Sequence, residues 1–280
     1  MRTTMRFAGV SLAVTGLALT AAVPARADEQ TLSRLSVAAD GRQGNGISSR
    51  PVISGDGRIA AFHTGATNLV TADWNGAGGV LVKDLTTGEM SRVAAGLLPT
   101  LSHDGRYVAF QSGASDLVPG DTNGRSDVFV HDRETNTTVR ASVASDGTQG
   151  NGVSEEPYLA AGGRFVVFTS AATNLAPGAT GTNRKVFVHD LQTATTAEVS
   201  VRPDGVATTR DSLSASVSAD GRYVSFSSDV RELAPGATSL SIRSAFVRDL
   251  QAGTTRRLPS GIVRGWPTIS ADGRYVSYSD

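Results

Sequence analysis

The stretch Leu101-Ser-His-Asp-Gly-Arg-Tyr-Val-Ala-Phe-Gln-Ser112 recurs in related form along the whole chain. Its Asp-Gly pair separates two β-rich runs, and these two residues tolerate the positive φ angles of a two-residue hairpin turn. The run after the turn, Arg106 to Phe110, is almost continuously apolar, as in a strand that is covered on both faces. The stretch therefore predicts a β-hairpin whose second strand is buried between neighbouring sheets.

Four more copies of this hairpin occur along the chain, and each is marked by its turn. The five turns begin at Asp56, Asp104, Gly162, Asp220 and Asp272, with spacings of 48, 58, 58 and 52 residues. A polar loop, a third apolar run that ends in Asp and a fourth β-rich run follow the hairpin in four of these units. Repeats of this length with four short strands are typical of an all-β protein, a β-propeller of four-stranded antiparallel blades.

The two ends of the repeat array are complementary. Residues 31–48 match residues 137–154 at 12 of 18 positions, so the N-terminal part supplies a fourth strand without a blade of its own. The C-terminal part, Trp266 to Asp280, supplies a first and a second strand. We therefore predict five blades, with the N- and C-terminal strands sharing one, because closure removes exposed strand edges. The alternative is that the chain is part of a larger propeller or of a longer protein.

The first 27 residues have the pattern of a secretory signal peptide. Arg2 and Arg6 precede an apolar run from Phe7 to Val23, and Ala25-Arg-Ala27 offers a cleavage site between small residues. Cleavage leaves a propeller domain of residues 28–280, which we expect outside the cytoplasm: extracellular, or periplasmic if the source has an outer membrane. A membrane anchor is disfavoured because the run is short for a span, and no membrane span is expected after cleavage.

Composition indicates how the domain is stabilised and which classes of partner it does not favour. The chain has no Cys, so its stability must come from a large apolar core and not from disulfides. Without residues 1–27 there remain 23 basic and 26 acidic residues, a net charge of −3. This balance gives no reason to expect nucleic acid or an anionic membrane surface as partner. We expect a monomer.

The repeat units resemble the TolB-like, WD-repeat-like β-propeller family, whose units carry a Ser-x-Asp-Gly-(Arg/Lys)-x-(Ile/Val)-Ala-Phe strand pair. The resemblance extends over roughly residues 31–280. The loop sequence Asn-Leu-(Val/Ala)-Pro-Gly is similar to a subgroup found as secreted proteins of actinobacteria. The resemblance implies work as a protein-interaction module or scaffold, although the same fold is also attached to peptidase domains. The fold alone assigns no activity.

One loop has the residues of a candidate calcium site. In Asp121-Thr-Asn123-Gly-Arg-Ser-Asp127, three oxygen-bearing side chains surround a turn that Gly124 permits, and hard cations prefer oxygen ligands. We therefore name Asp121, Asn123 and Asp127 as candidate calcium ligands. The loop is shorter than an EF-hand loop and lacks its distal Glu. The alternative, which the sequence favours, is that these side chains cap a turn through bonds to the backbone.

No catalytic residue is assigned from the sequence. The Asp residues that end the third strands are expected to hold hairpin turns, and the Asp-Gly-Arg arginines to pair with carboxylates of a neighbouring blade or to face solvent. His131 and His189 occupy a repeat position where other units have Lys or Arg, which predicts a solvated strand face. No Gly-x-Ser-x-Gly nucleophile elbow is present.

The leading functional prediction is a secreted, non-catalytic propeller that binds a protein or a cell-wall or extracellular ligand on its loops. The alternative is a glycan hydrolase or lyase with carboxylates converging at the central channel. Glu155, Glu156 and Asp211 interrupt the repeat in loops beside that channel, so they are the acids expected to form such a pair. The third possibility is a propeller module of a longer protein.

Overall fold

The structure is a computed structural model that describes residues 33–71, 78–204, 208, 210–234, 243–259, 263 and 265–279. The chain divides into two units, Met1–Arg34 and Leu35–Asp280, and all the strands belong to the second. The expected signal peptide and Trp74 lie outside the described residues. In the part of the chain that the structure describes, no helix is long and apolar enough to cross a bilayer.

Within the described residues, the strands form four four-stranded antiparallel sheets and one two-stranded sheet. The first sheet contains β1 (Ser48–Ile53), β2 (Ile59–Thr64), β3 (Gly79–Asp84) and β4 (Met90–Ala94). The second contains β5 (Leu97–Leu101), β6 (Tyr107–Ser112), β7 (Asp127–Asp132) and β8 (Thr137–Arg140). The third contains β9 (Ser154–Leu159), β10 (Phe165–Ser170), β11 (Lys185–Asp190) and β12 (Thr195–Glu198). The fourth contains β13 (Ser212–Val217), β14 (Tyr223–Ser228), β15 (Ser244–Asp249) and β16 (Thr254–Arg257), and the fifth β17 (Thr268–Ile269) and β18 (Val276–Ser277).

In the first three sheets, the second and third strands are the most buried part. In the second sheet, Phe110 of β6 and Phe129 of β7 are fully buried and their rings stack with centroids 5.9 Å apart. The third and fourth sheets repeat this pair, with centroids at 5.9 Å and 5.7 Å. The apolar clusters run from one sheet into the next along the first four sheets, so the second and third sheets are covered on both faces. The expectation from the Arg-Tyr-Val-Ala-Phe run is confirmed.

The sheets follow one another around a common centre, with their first strands innermost. β5, β9 and β13 each contact the first strand of the sheet before them, and β17 contacts β13. Side chains of the inner strands bond across the gap, since the Leu159 amide donates to Thr100 Oγ1 at 3.2 Å and the Ile269 amide to Ser216 Oγ at 2.8 Å. This is the arrangement of propeller blades, and four complete blades and a small fifth confirm the predicted architecture.

The repeated Asp residues hold the hairpins together within each sheet. Asp104 accepts hydrogen bonds from Ser102 Oγ at 2.5 Å and from the Arg106 amide at 3.0 Å. Arg106 then reaches across to the end of the third strand, where its Nε and Nη2 donate to both carboxylate oxygens of Asp132 at 3.0 Å and 2.6 Å. Asp132 also accepts the Glu134 amide at 2.9 Å, and Arg106 holds the pKa of that carboxyl well below its usual range.

The same arginine fork recurs in the third and fourth sheets, on Asp190 and Asp249. The predicted turn-holding role of the third-strand Asp residues is therefore confirmed by their contacts. The expected arginine partner was wrong in one respect, because each of these three arginines pairs with an Asp of its own sheet and not of a neighbouring blade. The reason is register: the arginine precedes the second strand, which lies directly beside the end of the third.

The described part of the fifth sheet contains only β17 and β18. Within the described residues 33–47, no strand pairs with this sheet; Val37 instead bridges Gln43, as Val143 bridges Gln149. Of the segment 31–48 that is predicted to supply the shared strand, residues 31 and 32 lie outside the described part of the chain. Leu35 and Ala38 pack on the first sheet, beside Phe62 and Leu69. The sharing of one blade by both ends thus stays a prediction.

Candidate functional site on the loop face

The antiparallel sheets give the domain two unlike faces. The turn face carries the short connections from first to second and from third to fourth strands. The loop face carries the longer connections from second to third strands, and the connectors, meaning the segments that lead from a fourth strand to the first strand of the next sheet. All the candidate ligands and acids named from the sequence lie in or beside loop-face segments, so the candidate functional site is on this face.

The three predicted calcium ligands do come together, but around a guanidinium. Arg140 Nη2 lies 3.1 Å from Asp121 Oδ2 and its Nε lies 3.7 Å from Asp127 Oδ2. The exposed fractions of these side chains are only 6%, 4% and 0%. Asn123 Nδ2 donates to Asp127 Oδ2 at 2.7 Å, and its carbonyl oxygen accepts the Arg125 amide at 2.8 Å. Burial raises the pKa of Asp127, while the hydrogen bond from Ser142 Oγ at 2.6 Å opposes that rise.

The same position in the third sheet also contains a cation that belongs to the protein. Lys185 replaces Asp127 at the start of the third strand, and Glu198 replaces Arg140 opposite the buried phenylalanine of that strand. Lys185 is fully buried and its Nζ donates to the carbonyls of Gly181 and Asn183, both at 3.1 Å. Burial lowers the pKa of Lys185 and raises that of Glu198 to about 7.

These two loops do not fit a bound calcium ion. A divalent cation needs several oxygens that are free to turn toward it, and the two carboxylates of the second sheet already face Arg140. The Asn123 oxygen is used by the backbone of its own turn. Within the described residues, no group of three or more His, Cys, Asp or Glu side chains could hold a metal. The geometry therefore favours an ion-paired turn, and calcium binding stays a prediction from the sequence.

The three acids named for the enzyme alternative are each held by structural contacts. Glu155 Oε1 pairs with Arg184 Nη2 at 3.0 Å, and Asp211 Oδ1 accepts the Arg184 amide at 2.9 Å. Glu156 Oε2 accepts the Ser214 amide at 3.1 Å, which ties the third sheet to the fourth. The sequence placed these acids in loops, which holds for Asp211, but Glu155 and Glu156 lie in the first strand of the third sheet, β9. The Glu155 carboxylate pairs within the third sheet, whereas those of Glu156 and Asp211 link the third sheet to the fourth.

The predicted solvated face at the two repeated histidines is wrong. His131 and His189 are 9% and 4% exposed. Their Nδ1 atoms lie 3.0 Å from Thr138 Oγ1 and 2.8 Å from Thr196 Oγ1, and burial lowers both pKa values. The polar identity of this repeat position suggested exposure, but the position lies on a central strand between sheets, where a threonine on the adjacent strand satisfies the imidazole.

The connectors are the feature that distinguishes the sheets from one another. Thirteen residues (141–153) join the second sheet to the third, and thirteen (199–211) join the third to the fourth, but only Ala95 and Gly96 join the first to the second. This difference accounts for the spacing of 48 residues, against 58, between the first two hairpin turns. The hairpins and third-strand turns keep nearly constant length, so the loop face alone departs from the repeat.

A cleft of about 430 Å³ lies where the short connector leaves the second sheet uncovered. Its lining includes His63, Leu97, Gln111, Gly113, Ala114 and Ser126. Leu97 is 46% exposed at its edge. His63 enters it from the first sheet with a pKa lowered by burial, and its Nδ1 lies 3.4 Å from Ser49 Oγ. Sequence reasoning missed this cleft, although the short first spacing was the signal that could have located it.

Comparison with known proteins gives a fold and no sequence family. No protein-family model matches the chain, and no curated protein matches it in sequence. TolB from Acinetobacter baumannii is 16% identical with a TM-score of 0.53, over 82% of this chain and 48% of that one. The β-propeller domain of the trilobed protease from Pyrococcus furiosus is 13% identical with a TM-score of 0.52, over 80% and 60%. The tricorn protease is 15% identical with a TM-score of 0.51, over 85% and 24%.

The chain therefore has the TolB-like β-propeller fold, as its hairpin repeats predicted. It spans about half of the length of the Acinetobacter TolB and less than two thirds of the other two proteins. Identities of 13–16% carry the fold alone. The resemblance to the actinobacterial subgroup stays a prediction.

Proposed function

We propose that this protein is an exported propeller scaffold that binds a partner protein or an extracellular ligand on its loop face, without catalysing a reaction. The observation that carries the proposal is the contrast between the two faces. The turn face repeats the same capped hairpins, whereas the loop face varies its connectors from thirteen residues to two and opens a cleft. In repeat proteins, such variation on one face usually marks the binding surface.

The chemistry of the acids supports a binding role over the enzyme alternative. A hydrolase or lyase needs carboxylates that are free to exchange protons with a substrate. Glu155, Glu156 and Asp211 instead accept bonds from Arg184 or from the backbone of the next sheet. Export belongs to the same proposal and rests on residues 1–27, and N-terminal sequencing of the released protein should begin at Asp28.

Site-specific photo-cross-linking tests which face is used. A photoreactive residue at Leu97, beside the cleft, should give a discrete cross-linked product with the extracellular fraction of the source organism. The matched control carries the same residue at Thr87, which is exposed on the turn face of the first sheet. Equal products from both positions, or a product from Thr87 alone, would contradict the proposal.

A further inference from the structure

The long connector is fastened to the third sheet by one asparagine. The Asn151 amide donates to Asn174 Oδ1 at 2.9 Å, and Asn151 Nδ2 donates to Thr173 Oγ1 at 2.8 Å. In return, the Thr173 amide donates to Asn151 Oδ1 at 2.8 Å and Asn174 Nδ2 to the Gln149 carbonyl at 2.7 Å. We call this set of four bonds the asparagine clasp. It joins a connector to the loop after the second strand of the sheet it enters.

The first sheet contains a second copy of the asparagine clasp. Asn45 makes the same four bonds with Thr67 and Asn68, at 2.8 to 3.0 Å, and the Gln43 carbonyl takes the place of Gln149. Beneath each clasp an Ala and a Leu form an apolar floor that the connector covers. Ala66 and Leu69 are 0% and 4% exposed in the first sheet, and Ala172 and Leu175 are 0% and 1% exposed in the third.

The second sheet has the receiving half of the clasp without the asparagine. Its loop begins as in the other two sheets, since the Ala114 amide bonds Ser112 Oγ at 3.1 Å as the Ala172 amide bonds Ser170 Oγ at 3.0 Å. Ser115 and Asp116 stand at the positions of Thr173 and Asn174. Both are exposed, and neither makes a hydrogen bond or ion pair with any other residue that the structure describes.

The floor in the second sheet is correspondingly open. Ala114 and Leu117 are partly exposed where their counterparts are buried. A Cβ on Gly113 would meet no described atom within 4 Å. In the third sheet, the equivalent residue is Ala171, and Gly152 of the connector lies against its backbone. A Cβ on Gly152 would overlap that backbone. Gly113 and Ala114 also line the cleft of about 430 Å³. A pre-shaped receiving site is thus left uncovered by the two-residue connector.

We call the receiving site of the second sheet, Ala114 to Leu117, the vacant clasp. We infer that the vacant clasp is a peptide-binding site, and that its occupant is a loop of a partner protein with an asparagine between small residues. The inference rests on the proposed scaffold function and gives it a location. The asparagine amide would bond the Ser115 amide and hydroxyl, as Asn151 bonds Thr173. The adjacent glycines would lie on Ala114 and Leu117, because only small residues allow so close an approach to the floor.

Asp116 sets the charge of the occupant. At the equivalent position, Asn174 both accepts a backbone amide and donates to the Gln149 carbonyl. A carboxylate can only accept hydrogen bonds. Asp116 would therefore repel a carbonyl at the place of the Gln149 carbonyl and would favour a hydrogen-bond donor there. The occupant therefore carries a basic residue near the position of Gln149. A charge-assisted bond of this kind is stronger than a neutral one.

The chain itself provides the probe. A labelled peptide with the sequence of residues 146–153 should bind the full protein and shift the amide resonances of Ser115 and Asp116. Replacing its asparagine by alanine should weaken binding about tenfold, because two side-chain hydrogen bonds are lost. A peptide with lysine in place of the glutamine should bind more tightly than the parent, and that advantage should shrink with added salt.

The variant Asp116→Asn serves as the matched test, because it places an asparagine at the position of Asn174. It should bind the glutamine peptide more tightly than wild type does and lose the preference for lysine. Equal binding of the asparagine and alanine peptides, or a lysine preference that survives in Asp116→Asn, would overturn the inference. So would self-association of the protein that competes with the peptide, since the occupant would then be a second copy. If peptides do not bind but cross-linking from Leu97 succeeds, the vacant clasp is wrong and the scaffold function stands.

Discussion

Arg140 offers the sharpest test of how the second sheet is held together. Its guanidinium faces two carboxylates, Asp121 and Asp127, and all three side chains are at most 6% exposed. Replacing Arg140 by methionine keeps an unbranched apolar side chain but removes the charged guanidinium, whose Cζ lies 5.9 Å from the centroid of the Phe129 ring. The two carboxylates are then buried without a cation. Breaking a buried pair in this way costs about 3–5 kcal/mol, which for a domain of this size lowers the melting temperature by roughly 6–20 °C.

A matched control separates loss of charge from loss of packing. Arg257 occupies the equivalent position in the fourth sheet, but its Nε donates to the neutral Ser244 Oγ at 3.1 Å. In Arg257→Met, no carboxylate of the described residues loses an ion-pair partner. We therefore expect the free energy of unfolding to fall by only about 1 kcal/mol. Chemical unfolding at pH 7 gives both values.

Lowering the pH should reduce the loss of stability in Arg140→Met and not that in Arg257→Met. Burial already raises the pKa of Asp127, and removal of Arg140 raises it further. A carboxyl with a raised folded pKa binds protons more tightly in the folded state, so its penalty shrinks as the pH falls toward that pKa. The deficit of Arg140→Met should therefore be smaller at pH 5 than at pH 7. Equal deficits for the two variants at both pH values would refute the ion-pair account.

Three further outcomes follow from the same geometry. Because Arg140 already faces Asp121, wild type should melt at the same temperature in calcium and in chelator; a calcium-dependent rise that Asp121→Ala abolishes would establish the calcium site instead. Burial raises the pKa of Glu198 to about 7, so folding takes up a proton and stability should fall as the pH rises from about 4.5 to about 7; urea unfolding of Glu198→Gln should lack that slope. Gly163 has φ 73° and a Cβ there would overlap the Tyr107 ring, so Gly163→Ala should cost about 1–3 kcal/mol more than Gly147→Ala, whose φ is 84° with open space around it; equal melting losses would contradict this.

The repeat made the fold predictable from the sequence. Each Asp-Gly turn marks a hairpin, and the predicted third and fourth strands agree with β3, β7, β11 and β15 and with β8 and β12 to within a few residues. Local chemistry is sufficient here, because the turn residues and the β-branched and aromatic runs mark where each strand begins and ends.

The partners of charged side chains were less predictable. The calcium hypothesis considered the loop 121–127 alone, but its charge is balanced by Arg140, which comes thirteen residues after Asp127 on the neighbouring strand. A one-dimensional motif does not show what lies across a sheet. The prediction for His131 and His189 was wrong because a polar residue on a central strand can be buried against a threonine of the next strand.

Equivalent positions of the second and third sheets carry side chains of opposite charge, and this difference affects which strands of the similar repeats can pair. β7 begins with Asp127 and is paired with the strand of Arg140, whereas β11 begins with Lys185 and is paired with the strand of Glu198. If the two fourth strands were exchanged during folding, Asp127 would face Glu198 and Lys185 would face Arg140. Both misassembled sheets would bury like charges, a penalty that the native pairing avoids. Similar strands in one chain invite such errors, and the opposite charges at these positions disfavour the exchange.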